Sequence, residues 1–366
     1  FDKYQTADDI ATWTEDLAKT FSNISKLVQV GSTYEGKKIN AIKIATGGDD
    51  NGKPTIWLDG GIHAREWISP ATVQYILHGL LTGYGSDTAI TNAINSVNWI
   101  IVPLFNIDGY EYTFAKDRMW RKTRSKNHLS LCVGTDPNRN WDFHWGEGGA
   151  SHDPCSEAYR GPKAASEIEI SSVQDYIKAD TSIHAYVNFH SYSQLWMYPW
   201  GYTTDETTDK DAGAQKTLGD NCVSALGKVH GTKFENGPIA EIIYVASGSS
   251  ADWTYGVASA KFSYGVELRD TGKYGFLLPP DQIVPSGEET LAAVLSMAKT
   301  VQADYVASNS DDCHASKDAK SCDAMASCSW CNAKAVPSAC YTTAEAKQLP
   351  PAVFVCDKKQ RNVLWL

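Results

Sequence analysis

Apolar residues along the chain fall into short runs separated by amphipathic stretches, so strands and helices are predicted to take turns. Thr6 with Asp9 makes a capped helix start, and Ile10, Trp13 and Leu17 supply one apolar face through about Thr20. Lys26 to Gly31 and Ile39 to Ala45 read as strands around a Ser32 to Lys38 turn. Pro54 to Leu58 is a third strand, followed by the Gly60-Gly61 turn and by Ser69-Pro70, which reads as an N-cap with proline in first helical position. Val97 to Leu104 is a continuous apolar run of the kind buried on both faces of a sheet. Asn106 to Gly161 loses periodicity and is expected to be a long irregular loop with a functional role. A helix from about Lys163 to Ala179 leads into the apolar strand 183–189, which ends directly at His190. A helix over about Asp209 to Val229, a Gly- and Ser-rich loop from Gly231 to Asp252, and the strand 262–268 follow, with Glu267 at that strand's carboxyl end. A last helix from about Ser286 to Tyr305 gives way to a polar linker, Ser308 to Asp312.

This pattern predicts an α/β domain over residues 1–307 and a small cysteine-rich module over 308–366, a division that a chain of 366 residues can support. Cysteine usage sharpens the boundary. Cys132, Cys155 and Cys222 are spread through the large domain, whereas Cys313, Cys322, Cys328, Cys331, Cys340 and Cys356 crowd the tail. A dense, even-numbered cluster reads as three disulfides formed in an oxidising compartment, although six cysteines allow 15 connectivities. Cys328-x-x-Cys331 raises a zinc knuckle as the rival, but the other spacings supply no second paired knuckle. If Cys132 and Cys155 pair, they hold the segment Asp136 to Asn140; Cys222, on a helix, is expected to be a buried free thiol. The Asn23-Ile-Ser25 sequon agrees with secretion. A net charge of −10 gives no basic footprint for nucleic acid. No apolar run approaches the roughly 18 residues of a membrane span, and the first residues do not form a signal peptide. A soluble, already processed chain is expected.

The candidate chemistry sits at the ends of the predicted strands. His63 and Glu66 lie on the loop between the third strand and its helix, where the open edge of an α/β sheet gathers ligands. An imidazole and a carboxylate at that spacing can close on one metal ion, and His190 and Glu267 fall at strand ends on the same edge. Two histidines and one carboxylate leave a zinc ion with an open position for water, the form of a catalytic site. Glu267, a carboxylate in a mostly apolar strand, is costly there unless paired or functional, and is the candidate base.

These motifs resemble the zinc metallocarboxypeptidases of the A/B type over about residues 4 to 305. The resemblance rests on His63-Ala-Arg-Glu66-Trp, Arg118-Met-Trp-Arg121-Lys-Thr-Arg, Asp136-Pro-Asn138-Arg139-Asn-Trp-Asp, His190-Ser-Tyr-Ser, Tyr244 and Glu267-Leu-Arg-Asp-Thr-Gly, in that order. HExxH and the inverted zinc motif are absent. The resemblance implies a mixed, mostly parallel, eight-stranded sheet flanked by helices, one Zn2+ held by His63, Glu66 and His190, and hydrolysis of the C-terminal peptide bond. It gives Glu267 the role of base, Arg121 that of oxyanion stabiliser, and Asp136 that of partner to His63. Asn138, Arg139 and Tyr244 would hold the substrate's terminal carboxylate, a task suited to arginine's planar fork. Arg65, Arg118, Tyr192 and Phe276 would line subsites upstream of the cleaved bond. The pocket for the departing side chain would comprise Met197, Gly201, Ile239, Ala246, Ala251 and Gly265; none is charged, which implies A-like preference for aromatic and bulky aliphatic residues. The expected partners are peptide and protein C-termini. A monomer, a propeptide in the precursor, and secretion, including into a digestive lumen, complete the expectation. The alternative is a non-catalytic peptide-binding homologue acting through its tail, whose signature would be a lost ligand or base. A bacterial-type cell-wall carboxypeptidase would share the zinc logic, but the Arg121, Asn138, Arg139 set and the Cys132/Cys155 pair favour the digestive-type branch.

Overall fold

The computed structural model describes residues 1–48, 52–128, 130–205, 209–325, 327–333 and 336–356, with 309–311 and 344 as backbone alone. Residues 357–366 of the expected cysteine-rich module lie outside the described residues. Helix α1 (Ala7–Thr20) starts as its sequence predicts: the Thr6 hydroxyl accepts the Asp9 amide while the Asp9 carboxylate reaches back to Thr6. β1 (Ser25–Ser32) and β2 (Lys38–Ile44) pair antiparallel. β3 (Thr55–Gly60), α2 (Ile68–Gly83), α3 (Thr88–Ser96) and β4 (Asn98–Val102) come next, and both strands are buried at every residue. That burial is why their sequences run apolar without alternation. α4 (Ile107–Ala115) and α5 (Ile168–Ala179) bracket the long irregular stretch. The chain continues through β5 (Ile183–Ser191), β6 (Leu195–Tyr198), α6 (Ala212–His230), β7 (Glu235–Pro238), α7 (Ile239–Ile242), α8 (Ser250–Gly256), β8 (Phe262–Leu268) and α9 (Ile283–Ala315).

The strands form one eight-stranded sheet in the order β1-β2-β4-β3-β5-β8-β6-β7. Its centre, β4-β3-β5-β8, is parallel throughout, with antiparallel pairs only at β1/β2, β2/β4 and β6/β8. The mixed, helix-flanked sheet expected of the chain is therefore present. Side-chain alternation along β3 divides the core between two faces. Ile56 and Leu58 pack toward a cluster that includes Val73, Leu77, Val294 and Met297, while Trp57 joins Tyr186, Trp141 and Trp253 on the other side. Because β3, β5 and β8 run parallel, their carboxyl ends share one edge, and His190 stands opposite Glu267 in register.

Several local expectations are corrected. Ser69 is not an N-cap: α2 begins at Ile68, and the Ser69 hydroxyl donates to the Phe189 carbonyl at 2.6 Å and accepts the Gly61 amide at 2.9 Å. It fastens the helix to the strand edge that carries the site. Residues 107–115, expected to be irregular, form α4 because the Asn106 side chain accepts the Gly109 amide and caps it. The helix expected from Lys163 starts at Ile168, and the loop expected from Gly231 to Asp252 contains β7, α7 and the start of α8. Ser308 to Asp312, expected as a polar linker, is helical, since α9 runs on to Ala315 through a stretch without proline or glycine.

The tail comprises α10 (Ala319–Ala324), β9 (Cys328–Ala333), β10 (Ala339–Thr342), α11 (Thr343–Ala346) and β11 (Phe354–Val355), with its strands in the order β10-β9-β11. Cys313–Cys328, Cys322–Cys340 and Cys331–Cys356 are disulfides, so Cys328 and Cys331 bond to different partners and form no knuckle. Cys132 and Cys155 are bonded to each other, and Cys222 is a buried free thiol whose ionisation burial pushes well up. Asp304 of α9 meets His184 and Lys261, beside the amino ends of β5 and β8. The tail that follows α9 is thus mounted at the edge of the sheet opposite His190 and Glu267. Among the described residues no helix is long and apolar enough to cross a membrane.

Candidate active site

The Gly60-Gly61 turn ends β3 and lets the next residues fold back over the sheet edge. There His63 Nδ1 lies 2.9 Å from Glu66 Oε1, and His190 Nδ1 lies 3.0 Å from His63 Nδ1 and 3.1 Å from Glu66 Oε2. All three side chains are buried. Four-coordinate zinc with bonds of about 2.0–2.1 Å sets its ligand atoms roughly 3.3 Å apart, so this spacing suits the ion. The donor chemistry suits it too, since two imidazole nitrogens and a carboxylate can turn lone pairs toward one cation. His63 Nε2 is 3.0 Å from Asp136 Oδ1, which fixes the ring and leaves Nδ1 for the metal.

Arg121 donates to Asp136 Oδ2 through Nη2 at 2.9 Å and Nε at 3.2 Å, and its Nη1 stays 3.7 Å from Glu66 Oε1. Burial opposes ionisation of Asp136, but Arg121, His63 and Arg139 together hold its carboxyl well below the usual carboxylate range. Burial likewise opposes the ionised form of Glu66, which His63 and His190 nevertheless keep strongly depressed. Glu267 has the reverse balance: burial and then repulsion from Glu66 push its carboxyl up, against the pull of His63, Arg121 and Arg139. Its Oε2 is buried without a hydrogen-bond partner among the described residues. A cation among the three ligands would draw that carboxyl back down.

Beside the ligands, Arg139 is anchored by its Nε to the Gly149 carbonyl at 2.9 Å and by Nη1 to the Asn138 carbonyl at 2.8 Å. Gly149 has φ +76°, and a Cβ there would stand 1.8 Å from the Val245 carbonyl, so only glycine lets this loop back the Tyr244 segment. The Arg139 guanidinium lies 5.7 Å from the Tyr244 ring centroid, and Tyr244 is half exposed. Asn138 accepts the Ser250 amide at 2.9 Å through its side-chain oxygen. The Cys132–Cys155 disulfide ties together the loop that precedes and follows this segment.

His63, Asn138, Arg139, His190, Met197, Ile239, Tyr244, Ala246, Ala251, Gly265 and Glu267, eleven residues from distant parts of the sequence, line one pocket. Gly201 is placed differently: it backs the wall, with its amide donating to the buried carboxylate of Asp252 at 2.8 Å and a built Cβ 3.1 Å from Ile239. Arg65, Arg118, Tyr192 and Phe276 gather in a second group. Arg65 lies 4.4 Å over the Phe276 ring, Tyr192 meets the same ring edge-on, and Arg118 donates to the Arg65 and Phe276 carbonyls. Asn188, Ile243, Ser249 and Ser250 also line the pocket and were missed from sequence. The available signal was Asn188 itself, an amide inside the apolar strand that ends at His190.

Three side chains that could hold a metal ion, an unpartnered carboxylate and an anchored guanidinium gather around one pocket, the set of groups a metal-dependent hydrolase needs. The chain belongs to the zinc carboxypeptidase family, whose model matches residues 10–293, and is a metallocarboxypeptidase. It is 47% identical over 305 residues to carboxypeptidase B of Astacus astacus, covering 82% of this chain and 98% of that protein. It is 43% identical over 305 residues to carboxypeptidase A2 of Mus musculus, covering 82% of this chain and 71% of that protein. Relatives of both the A and the B type are thus similar to it. Among solved structures, bovine thrombin-activatable fibrinolysis inhibitor in complex with tick carboxypeptidase inhibitor matches with a TM-score of 0.77 and 36% identity, covering 83% of this chain and 99% of that one. Carboxypeptidase A from Helicoverpa armigera matches with a TM-score of 0.76 and 31% identity, covering 82% and 74%.

Proposed function

We propose that the chain is a secreted, monomeric exopeptidase that releases the last residue of peptides and proteins, preferring aromatic or bulky aliphatic residues, with one zinc ion on His63, Glu66 and His190. The carrying observation is Glu267: a carboxylate oxygen buried without a partner among the described residues, in register with His190 and lining the same pocket. Zinc bound at the triad supplies Lewis acidity toward the scissile carbonyl and toward an attacking water. Arg139 and Asn138, with Tyr244 closing over them, hold the terminal carboxylate and set the last peptide bond before Glu267. Glu267 takes a proton from the attacking water as its oxygen bonds to the carbonyl carbon, then delivers it to the amine nitrogen as the C–N bond breaks. Arg121, kept charged by Asp136 and Glu66, stabilises the negative charge that develops on the carbonyl oxygen. Arg65, Arg118, Tyr192 and Phe276 receive upstream residues. Asp136 orients His63.

The apolar preference is supported by Met197, Ile239, Ala246, Ala251 and Gly265, which give the pocket wall no charge to pair with lysine, arginine or a carboxylate. Secretion is supported by four disulfides. Every assigned group precedes residue 308, and the tail is proposed as a separate module. No ligand or base is replaced, which argues against a binding-only homologue. The test is Glu267→Gln: zinc content and substrate affinity should persist while kcat falls by orders of magnitude. Near wild-type turnover in the zinc-replete variant would refute the role.

A further inference from the structure

We infer that Asn23 carries an N-linked oligosaccharide and that this glycan covers the open half of β1, the strand at one border of the sheet. The inference rests on the reading that the chain is secreted. Asn23-Ile-Ser25 is the one Asn-x-Ser/Thr triplet in the 366 residues.

The fold puts the asparagine where a bulky, polar group can stand. Asn23 is exposed, in the turn between α1 and β1, whereas Ile24 and Ser25 beside it are buried. A cavity of about 260 Å3, lined by residues 22–26 and by Lys43, Ala45, Gly47 and Gly48, adjoins it. The first sugar therefore meets open space and not packed side chains.

Ser25 fixes when the sugar is added. Its hydroxyl donates to the Phe21 carbonyl at 3.0 Å, and the residue opens β1 opposite Ile44. The serine that completes the acceptor triplet is thus locked away once β1 has paired, so transfer takes place on the unfolded chain. Asn23 Nδ2 forms a bond to the anomeric carbon of a lipid-diphosphate-linked oligosaccharide. The bond from that carbon to the diphosphate oxygen breaks, its electron pair leaves on the diphosphate, and the amide gives up one proton to solvent.

What the glycan does follows from the topology. β1 is an end strand, paired within the sheet only with β2, and an unpaired strand border is a template for association with another chain. The carboxyl half of β1 is guarded: Val30 and Gly31 are buried, Ser172 Oγ of α5 accepts the Ser32 amide at 3.1 Å, and the Gln29 side chain donates to the Gly31 carbonyl at 3.1 Å. The amino half leaves Lys26 and the apolar Leu27 exposed, and Asn23 stands just ahead of it. Ile44, opposite Ser25, in turn pairs with Trp99 near the start of β4. Asn23 therefore lies at the amino ends of the parallel strands, across the sheet from His190 and Glu267, and its glycan guards the border without touching the active site.

The experiment secretes the full chain from insect cells and maps its mass before and after treatment with peptide N-glycosidase. The wild-type protein should carry one oligosaccharide, which the glycosidase removes to leave aspartate at position 23, and Asn23→Gln should lack it. Removal of the sugar should leave kcat/KM within about twofold and raise severalfold the light scattered by a concentrated sample on incubation. Because the glycosidase acts on folded wild-type protein, this comparison stands even if Asn23→Gln does not fold. An unmodified Asn23 in protein recovered from the medium would overturn the site, and equal scattering with and without the sugar would overturn its role at β1. Failure of any folded chain to reach the medium would instead overturn secretion, the reading beneath, and the site with it.

Discussion

Valine in place of Gly265 is expected to turn a pocket that accepts tryptophan into one that takes only smaller residues. Gly265 lies in β8 two residues before Glu267, lines the pocket, and adopts no left-handed φ, so the backbone can carry a branched residue. A built Cβ there meets no atom within 4 Å, so the first added carbon has room in the pocket. Stability should not fall, because glycine inside a strand costs roughly 0.5–1 kcal/mol relative to alanine and valine suits a buried strand. The loss falls on the largest substrate. If the new side chain displaces about three ring carbons of the bound indole, at about 0.8 kcal/mol of burial each, roughly 2.4 kcal/mol of binding is forfeited. That is about 50-fold in kcat/KM at 1.4 kcal/mol per decade. Peptides ending in leucine should change by less than about threefold, since a four-carbon side chain leaves the deep end of the pocket empty. Steady-state kinetics on two peptides differing only in the last residue, tryptophan or leucine, with a thermal melt of the same samples, measure both effects. An equal fall for both peptides, or no fall for tryptophan, would refute the placement of residue 265 in the pocket.

Ala251→Asp should move preference toward C-terminal lysine and arginine, since it puts the missing carboxylate in the pocket wall; unchanged Phe-to-Arg selectivity would count against that placement. Removal of the metal by a chelator should abolish peptidase activity and added zinc should restore it, and failure of the restoration would speak against a zinc hydrolase. Glu169 in the first turn of α5 is buried, with one carboxylate oxygen on the Tyr34 amide at 2.9 Å and the other unpartnered, and burial pushes it from 4.5 up to about 7. The folded state therefore favours its neutral form: its stability is full below the unfolded value near 4.5 and is lost as pH rises through about 7. Glu169→Gln should stabilise the protein at pH 8 by on the order of 1–3 kcal/mol and by much less at pH 4, and an equal shift in melting temperature at both pH values would contradict this. Truncation after Ala307 should leave kcat/KM on small peptides within about twofold, because Asp304 and its partners His184 and Lys261 remain and the tail lies across the sheet from the site. Loss of most activity would show that the tail completes the catalytic domain.

Much of this protein was legible in one dimension because its central strands are buried on both faces. Pro54 to Leu58, Val97 to Leu104 and residues 183–189 and 262–268 read as strands of a covered sheet, and His63, Glu66, His190 and Glu267, at or just past three of their carboxyl ends, offered the residue types of a metal site and a base. The capped start of α1 was equally local, a matter of two side chains within one turn. Tertiary structure decided everything that needed partners distant in sequence. Ser69 has the composition of an N-cap, yet Phe189 and Gly61 compete for its hydroxyl and win. Ser308 to Asp312 is polar enough for a linker, but a helix already nucleated and packed through Met297 and Val301 extends into it at little cost. The orientation of the Asn188 amide is likewise invisible in the string, because it is imposed by a carboxylate on the neighbouring strand. Sequence determines which faces must be buried and which donors are available. Only the register of β3 and β5 brings atoms of His63, Glu66 and His190 within 3.1 Å of one another, and that of β5 and β8 sets Glu267 beside His190, because parallel pairing aligns ends that the chain itself keeps far apart.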